Sequence, residues 1–184
     1  MRSRPITTIA VATFAAALTL VAAVSGWAGT RKSSSGPTTI EGGNVTSVII
    51  VRQRAEQVMP AHDDWVDVSG ATADVTVQDG TTALVLVRFS SGSSCLGPSA
   101  ASPACLVRVL VDGAEAEPVL GNRSVWGTNC GGFQTCYAAL SIDRSAGPLD
   151  PGTHTVTIQA KPGNIQSLEF KGWTLTIERV QATP

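Results

Sequence analysis

The sequence predicts an all-β domain, an antiparallel β-sandwich, preceded by an export segment. Two observations carry the fold. From residue 45 onward, short apolar stretches rich in β-branched residues are separated by Gly, Pro, Asp and Asn, and several of them alternate with polar residues at a period of two. No apolar stripe of helical period runs for more than a turn or two. A composition of 43% hydrophobic and 15% charged residues supports a sizeable core and argues against disorder.

At 184 residues the chain has room for one domain of ordinary size plus whatever precedes it. Residues 1–28 have the three parts of a secretory signal: Arg2 and Arg4, an apolar run over 9–24, then the small residues Ser25, Gly26 and Ala28. The apolar run is shorter than the roughly 20 residues a membrane-spanning helix needs. Trp27 and Ala28 would extend it and Arg31 and Lys32 would flank it, so an uncleaved anchor stays open. No cysteine precedes Cys95, which leaves no N-terminal cysteine for a lipid anchor. Residues 29–44, rich in Ser, Gly and Thr, read as a flexible leader, and 45–184 as the domain.

The elements follow in order. Residues 45–52 (VTSVIIVR) form a β-branched strand. Residues 54–59 (RAEQVM) are the best helical candidate, a turn or two ended by Pro60, which lacks a backbone donor. Ala71, Ala73, Val75 and Val77 alternate with Thr72, Asp74, Thr76 and Gln78, which puts one face inward. Asp79-Gly80 makes a turn, and residues 83–89 (ALVLVRF) follow as a strand buried on both faces. Residues 90–94 (SSGSS) read as a loop made soluble by hydroxyls. Residues 106–111 (LVRVLV) form a strand closed by Asp112-Gly113, and 137–142 (YAALSI) another. A loop over 148–152 leads to the alternating strand 154–160 (HTVTIQA), a turn at 161–164, and the alternating strand 173–177 (WTLTI). About eight strands with turn signals every 8 to 12 residues or so make a sandwich of jelly-roll type, with a closed barrel as the alternative.

Four cysteines allow three pairings. Locality favours Cys95 with Cys105 and Cys130 with Cys136, each stapling a loop in an oxidising compartment. A metal site would need close Cys or His pairs, and the sequence offers none, so no metal and no cofactor is expected. Lys+Arg 13 against Asp+Glu 14 gives a net charge of −1, and loss of Arg2 and Arg4 would make it more negative, which argues against a nucleic-acid partner.

Catalytic side chains are sparse. The two histidines, His62 and His154, sit in no nucleophile motif, and no Gly-x-Ser-x-Gly elbow occurs. His62, before Asp63 and Asp64, is the better candidate, because a carboxylate can orient an imidazole. Asp112, Glu115 and Glu117, or Asp63, Asp64 and Asp67, could offer oxygens to Ca²⁺ but lack the spacing of a calcium loop.

Residues 121–137 (GNRSVWGTNCGGFQTCY) place Trp126, Phe133 and Tyr137 in one stretch that a local disulfide would rigidify. Flat rings bury sugar faces, and Asn122 and Arg123 could bond hydroxyls, so these five are the candidate ligand-binding residues. The alternative is that the aromatics fold back over the sandwich, as Trp65 and Trp173 are expected to do as core residues.

The runs DVTVQDGTTALVLVRFSSGSSC, CLVRVLVDGAEAEP and GTHTVTIQA with WTLTIERV resemble uncharacterised secreted bacterial β-sandwich proteins over about residues 71–180. The strand entered through PGTHTV is also similar to jelly-roll domains of the complement globular-head and tumour-necrosis-factor type, a likeness that carries over no functional residue. The expectation is a secreted binding module for glycan or cell-surface protein, with a secreted hydrolase as the alternative.

Overall fold

The computed structural model describes residues 43–96, 105–127 and 137–181, all within the compact unit Ile40–Pro184. Residues 1–42, on which the expected export segment and most of the expected leader fall, and Phe133, Cys130 and Cys136 lie outside the described residues.

Ten strands build two antiparallel five-stranded sheets. Sheet A contains β1 (Asn44–Gln53), β2 (Gln57–His62), β4 (Ala83–Leu96), β8 (Ala138–Leu149) and β10 (Gly163–Gln181). Sheet B contains β3 (Val66–Val77), β5 (Cys105–Val111), β6 (Ala114–Glu115), β7 (Val125–Gly127) and β9 (Gly152–Lys161). Apart from β2 and β6, the order is β1-β10-β4-β8 in one sheet and β3-β9-β5 with β7 beside β5 in the other. Most consecutive strands thus cross between sheets, as from β3 to β4 to β5 and from β7 through β8 and β9 to β10, in the interleaved way of a jelly roll.

The period-two pattern explains which side of each strand faces the partner sheet. Val85, Val87 and Phe89 on β4, Val107, Val109 and Val111 on β5, Val156, Ile158 and Ala160 on β9, and Leu175 and Ile177 on β10 are all buried. Phe89 is the hub of an aromatic cluster, with ring centroids 5.4 Å from Trp126, 5.8 Å from Phe170 and 5.9 Å from Trp173.

Four expectations change. Residues 83–89 are buried on one face only, with Leu86 and Arg88 exposed on the other, because sheet A packs on sheet B from one side. Residues 90–94 are not a loop: β4 continues through them, and Ser91, Ser93 and Ser94 are buried. Two of the hydroxyls find partners inside, with Ser91 Oγ donating to Gly172 O at 2.7 Å and Ser93 Oγ accepting from Trp126 Nε1 at 2.9 Å, while the buried Ser94 Oγ has none among the described residues. Residues 57–62 form β2, not a helix, because β10 offers a free edge; Pro60 is tolerated there because an edge strand needs no outward donor. Strand β8 runs on through Pro148 to Leu149, shortening the expected loop.

The two strands on that edge share β10 end to end. Strand β1 pairs with Trp173 to Gln181 and β2 with Gly163 to Phe170. Gly172 sits at the junction with φ 100°, and a Cβ there would lie 2.9 Å from Gln53 O. Only glycine fits both constraints.

Cys95 and Cys105 are bonded, with Cα atoms 6.0 Å apart. The pairing is the expected one, but its role differs. Cys95 lies on β4 and Cys105 on β5, both are buried, and the bond staples one sheet to the other. Closing about ten residues contributes roughly 3 kcal/mol, comparable to burying one or two large apolar side chains. The opposite side of β5 is tied differently: Glu117 and Ser145 exchange backbone hydrogen bonds of 2.7 and 2.9 Å, joining the segment after β6 to β8.

Candidate functional site

The outer face of sheet B is polar by alternation. Asp67, Thr72 and Asp74 on β3 stand opposite Gln159, Thr157 and Thr155 on β9. Thr155 Oγ1 donates to Asp74 Oδ1 at 2.8 Å. Gln159 Nε2 donates to Asp67 Oδ1 at 2.8 Å, and Gln159 Oε1 accepts from Arg108 Nε and Nη2 at 3.0 and 2.7 Å. Arg108 Nη1 lies 3.9 Å from Glu115 Oε2, while Glu115 Oε1 accepts from the amides of Leu120 and Gly121. One hydrogen-bonded row therefore crosses β3, β9 and β5, and the Arg108–Glu115 ion pair extends it to β6.

Against that row stands Trp65, with the Arg108 guanidinium 4.3 Å from its ring centroid. Such a stack contributes about 0.5–1 kcal/mol at an exposed site. Its larger effect is to hold two flat groups in one orientation. Trp65 is partly exposed, so it is not the core residue expected. The signal was present in the sequence: Trp65 shares the parity of outward-facing Asp67, whereas Val68, 1% exposed, has the inward parity.

The candidate aromatics separate. Trp126 is 4% exposed and packs on Phe89 and Phe170, so its ring belongs to the core and is not available to a ligand. Its indole N–H continues the apolar role with a buried partner, Ser93. Tyr137 is 46% exposed; its hydroxyl donates to Glu169 Oε2 at 2.7 Å and its ring lies 4.7 Å from Lys171 Nζ, on the sheet A side. Lys171 also meets Glu56 Oε1 at 2.5 Å, and these partners push its pKa up. Asn122 and Arg123 are exposed in a 3-10 turn, Gly121–Arg123, between β6 and β7.

The histidines do different work from that expected. His62 Nδ1 accepts the amide of Asp64 at 3.0 Å, so a backbone donor, rather than a carboxylate, orients the ring and leaves Nε2 to carry the proton of the neutral form. His62, Ala61, Asp63 and Gly163 line an open cleft of about 310 Å³ at the turn that precedes Trp65. His154 Nδ1 meets Asp112 Oδ2 at 2.7 Å and its Nε2 meets Asp150 O at 2.8 Å, so both ring nitrogens are spent on structure. The hydrogen bond to Asp112 raises the His154 pKa, and the same bond lowers that of Asp112.

The acidic residues proposed for calcium are also committed separately. Asp112 holds His154 and the amide of Thr155, Glu115 holds Leu120 and Gly121, and Glu117 Oε2 accepts the amide of Val119.

No protein-family model matches the chain, and no curated protein matches it.

Proposed function

We propose that the chain is a secreted, non-catalytic binding module whose ligand is a glycan, held on the outer face of sheet B. The observation that carries this reading is the Trp65 and Arg108 stack set in a row of fixed amide and carboxylate groups. An indole supplies apolar area for a sugar C–H face, and Gln159, Asp67 and Arg108 supply oriented donors and acceptors for hydroxyls. Fixing these groups before binding lowers the ordering cost. The threonines of β9 extend the same hydroxyl-rich surface.

Export is supported by the basic, apolar and small-residue order of residues 1–28, and by a disulfide that suits an oxidising compartment. N-terminal sequencing of protein recovered outside the cell tests it.

The binding reading is tested by retention on a glycan array and by affinity electrophoresis in polysaccharide gels, comparing wild type with Trp65→Ala and Arg108→Ala. Loss of retention in both variants, with the circular dichroism spectrum unchanged, is the expected result. Undiminished retention by Trp65→Ala would remove sheet B as the site. Absence of any retained glycan would sink the glycan reading itself.

A further inference from the structure

A β-bulge sets two residues of one strand against one of its partner and re-aims the side chains around it. Strand β10 has such a place. Ser93 pairs with Phe170 and Ser91 with Trp173, so Lys171 and Gly172 together stand opposite Gly92 alone. On its other side Gly92 pairs with Ala139 of β8. Since Ser91 and Ser93 point inward, the outward position at 92 has no side chain and its neighbour only a methyl group. These residues line an open hollow of about 500 Å³ on the outer face of sheet A.

The rim of the hollow is cationic and rich in hydroxyls. Arg52 on β1, Thr174 on β10 and Ser90 on β4 are direct cross-strand neighbours on that face. Arg54 joins them from the segment between β1 and β2, whose backbone is pressed against Gly172: a Cβ there would lie 3.4 Å from Arg54 O. Lys171 also lines the hollow, but its ammonium is engaged by Glu56 and Glu169 at 2.5 and 3.6 Å. No carboxylate is among the lining residues. Every other arginine on a described strand has a side-chain or carbonyl acceptor: Asp143 for Arg88, Gln159 for Arg108, Asp143 O for Arg144 and Thr46 for Arg179. Among the described residues the side chains of Arg52 and Arg54 have none.

We infer that this hollow is a binding site for a phosphate monoester, separate from the outer face of sheet B and independent of what that face binds. A phosphate monoester carries a charge of about −1.5 to −2 at neutral pH and three strong acceptor oxygens. Guanidinium groups meet such oxygens with paired N–H donors. Arg52 and Arg54 supply two uncommitted charges, Thr174 and Ser90 supply hydroxyl donors, and the floor at Gly92 and Ala139 leaves room for the group that carries the phosphate. A free phosphate ion would leave most of that room empty.

Isothermal titration calorimetry with glycerol 3-phosphate tests the site, with inorganic phosphate and glycerol as comparisons; none of these carries a sugar ring for the outer face of sheet B. Glycerol 3-phosphate should bind, inorganic phosphate more weakly, and glycerol not at all. Arg52→Gln and Arg54→Gln, both at exposed positions, should each weaken binding about tenfold, the loss expected for a charged hydrogen bond. Gly92→Glu should abolish it by setting a carboxylate in the hollow. That variant should melt as wild type does, because Gly92 lies outside the left-handed region and its Cβ would meet nothing nearer than Lys171 Cβ at 3.8 Å. Failure of wild type to bind glycerol 3-phosphate would overturn the inference, as would binding that survives both arginine variants or a folded Gly92→Glu. Glycerol 3-phosphate held no more tightly than inorganic phosphate would leave a site for the free ion and overturn the monoester.

Discussion

The indole Nε1 of Trp126, on the short strand β7 of sheet B, donates a 2.9 Å hydrogen bond to Ser93 Oγ on β4 of sheet A. A polar contact thus crosses the middle of an aromatic core. Both residues are at least 96% buried by exposures of 4% and 3%, so neither group has water as a substitute.

Ser93→Ala should therefore destabilise the domain by about 1–3 kcal/mol, the cost of leaving a buried indole N–H unsatisfied. Trp126→Ala should cost about 3–5 kcal/mol by opening a cavity against Phe89 and Phe170. Combining Ser93→Ala with Trp126→Phe should recover part of the Ser93→Ala loss, because the orphaned donor goes with the indole. Urea denaturation of these variants and of Trp126→Phe alone measures all of this, and losses in the double variant equal to the sum of Ser93→Ala and Trp126→Phe would contradict the coupling.

Reduction of the Cys95 to Cys105 bond should lower stability by roughly 3 kcal/mol without abolishing the fold. The apolar contacts between the sheets remain when the staple is cut. The Cys95→Ala, Cys105→Ala variant, melted beside wild type, should show a lower midpoint and a native spectrum before the transition.

The His154 and Asp112 pair should give stability a two-sided pH dependence. His154 has a raised pKa, so its contribution is complete below its ordinary value of 6.5 and is lost as pH rises through the raised value. Asp112 has a lowered pKa, so its contribution is complete above its ordinary 3.8 and is lost as pH falls through the lowered value. The pair therefore stabilises most between those two ordinary values. Asp112→Asn preserves the turn, since Asn accepts the φ of 51° found there, and should flatten both limbs of melting temperature against pH. Unchanged limbs would show that other groups govern them.

Gly172→Ala should cost about 1–3 kcal/mol, because it combines a positive φ with a backbone oxygen 2.9 Å from the new Cβ. The damage should be local. Hydrogen exchange should speed up in β1 and β2, whose junction lies at Gly172, more than in β5 and β9 of the other sheet.

Much of the fold was legible in residue order. Alternation identified the inward faces of β3, β9 and the second half of β10, and Asp112-Gly113 closed its hairpin with positive φ at both positions, 51° and 78°. The serine run was misread because hydroxyls were taken as a sign of solvent. Its parity nonetheless continued that of Val85, Val87 and Phe89 through Ser91 and Ser93 to Cys95. Strand β2 left no such trace, since what makes residues 57–62 extended is the edge of β10, more than a hundred residues away in the chain.

The candidate site divides along the same line. Clustering in sequence grouped Trp126 with Tyr137, but one faces the core and the other lies exposed beside Lys171. Trp65, Asp67, Arg108 and Gln159 are scattered along the chain and become a row only where β3, β9 and β5 pair.

The sequence by itself determined the β class, the side of each alternating strand that is buried and the tight turns, and it favoured the local cysteine pair. These depend on a residue and its near neighbours, through the two-residue pleat and the backbone preferences of Gly and Asp. The tertiary structure alone decided which strands are adjacent, that Cys95 and Cys105 join two sheets, and that Arg108 lies over Trp65. Those outcomes rest on hydrogen bonds and packing between distant segments, where register across the sheet, rather than spacing along the chain, sets which side chains meet.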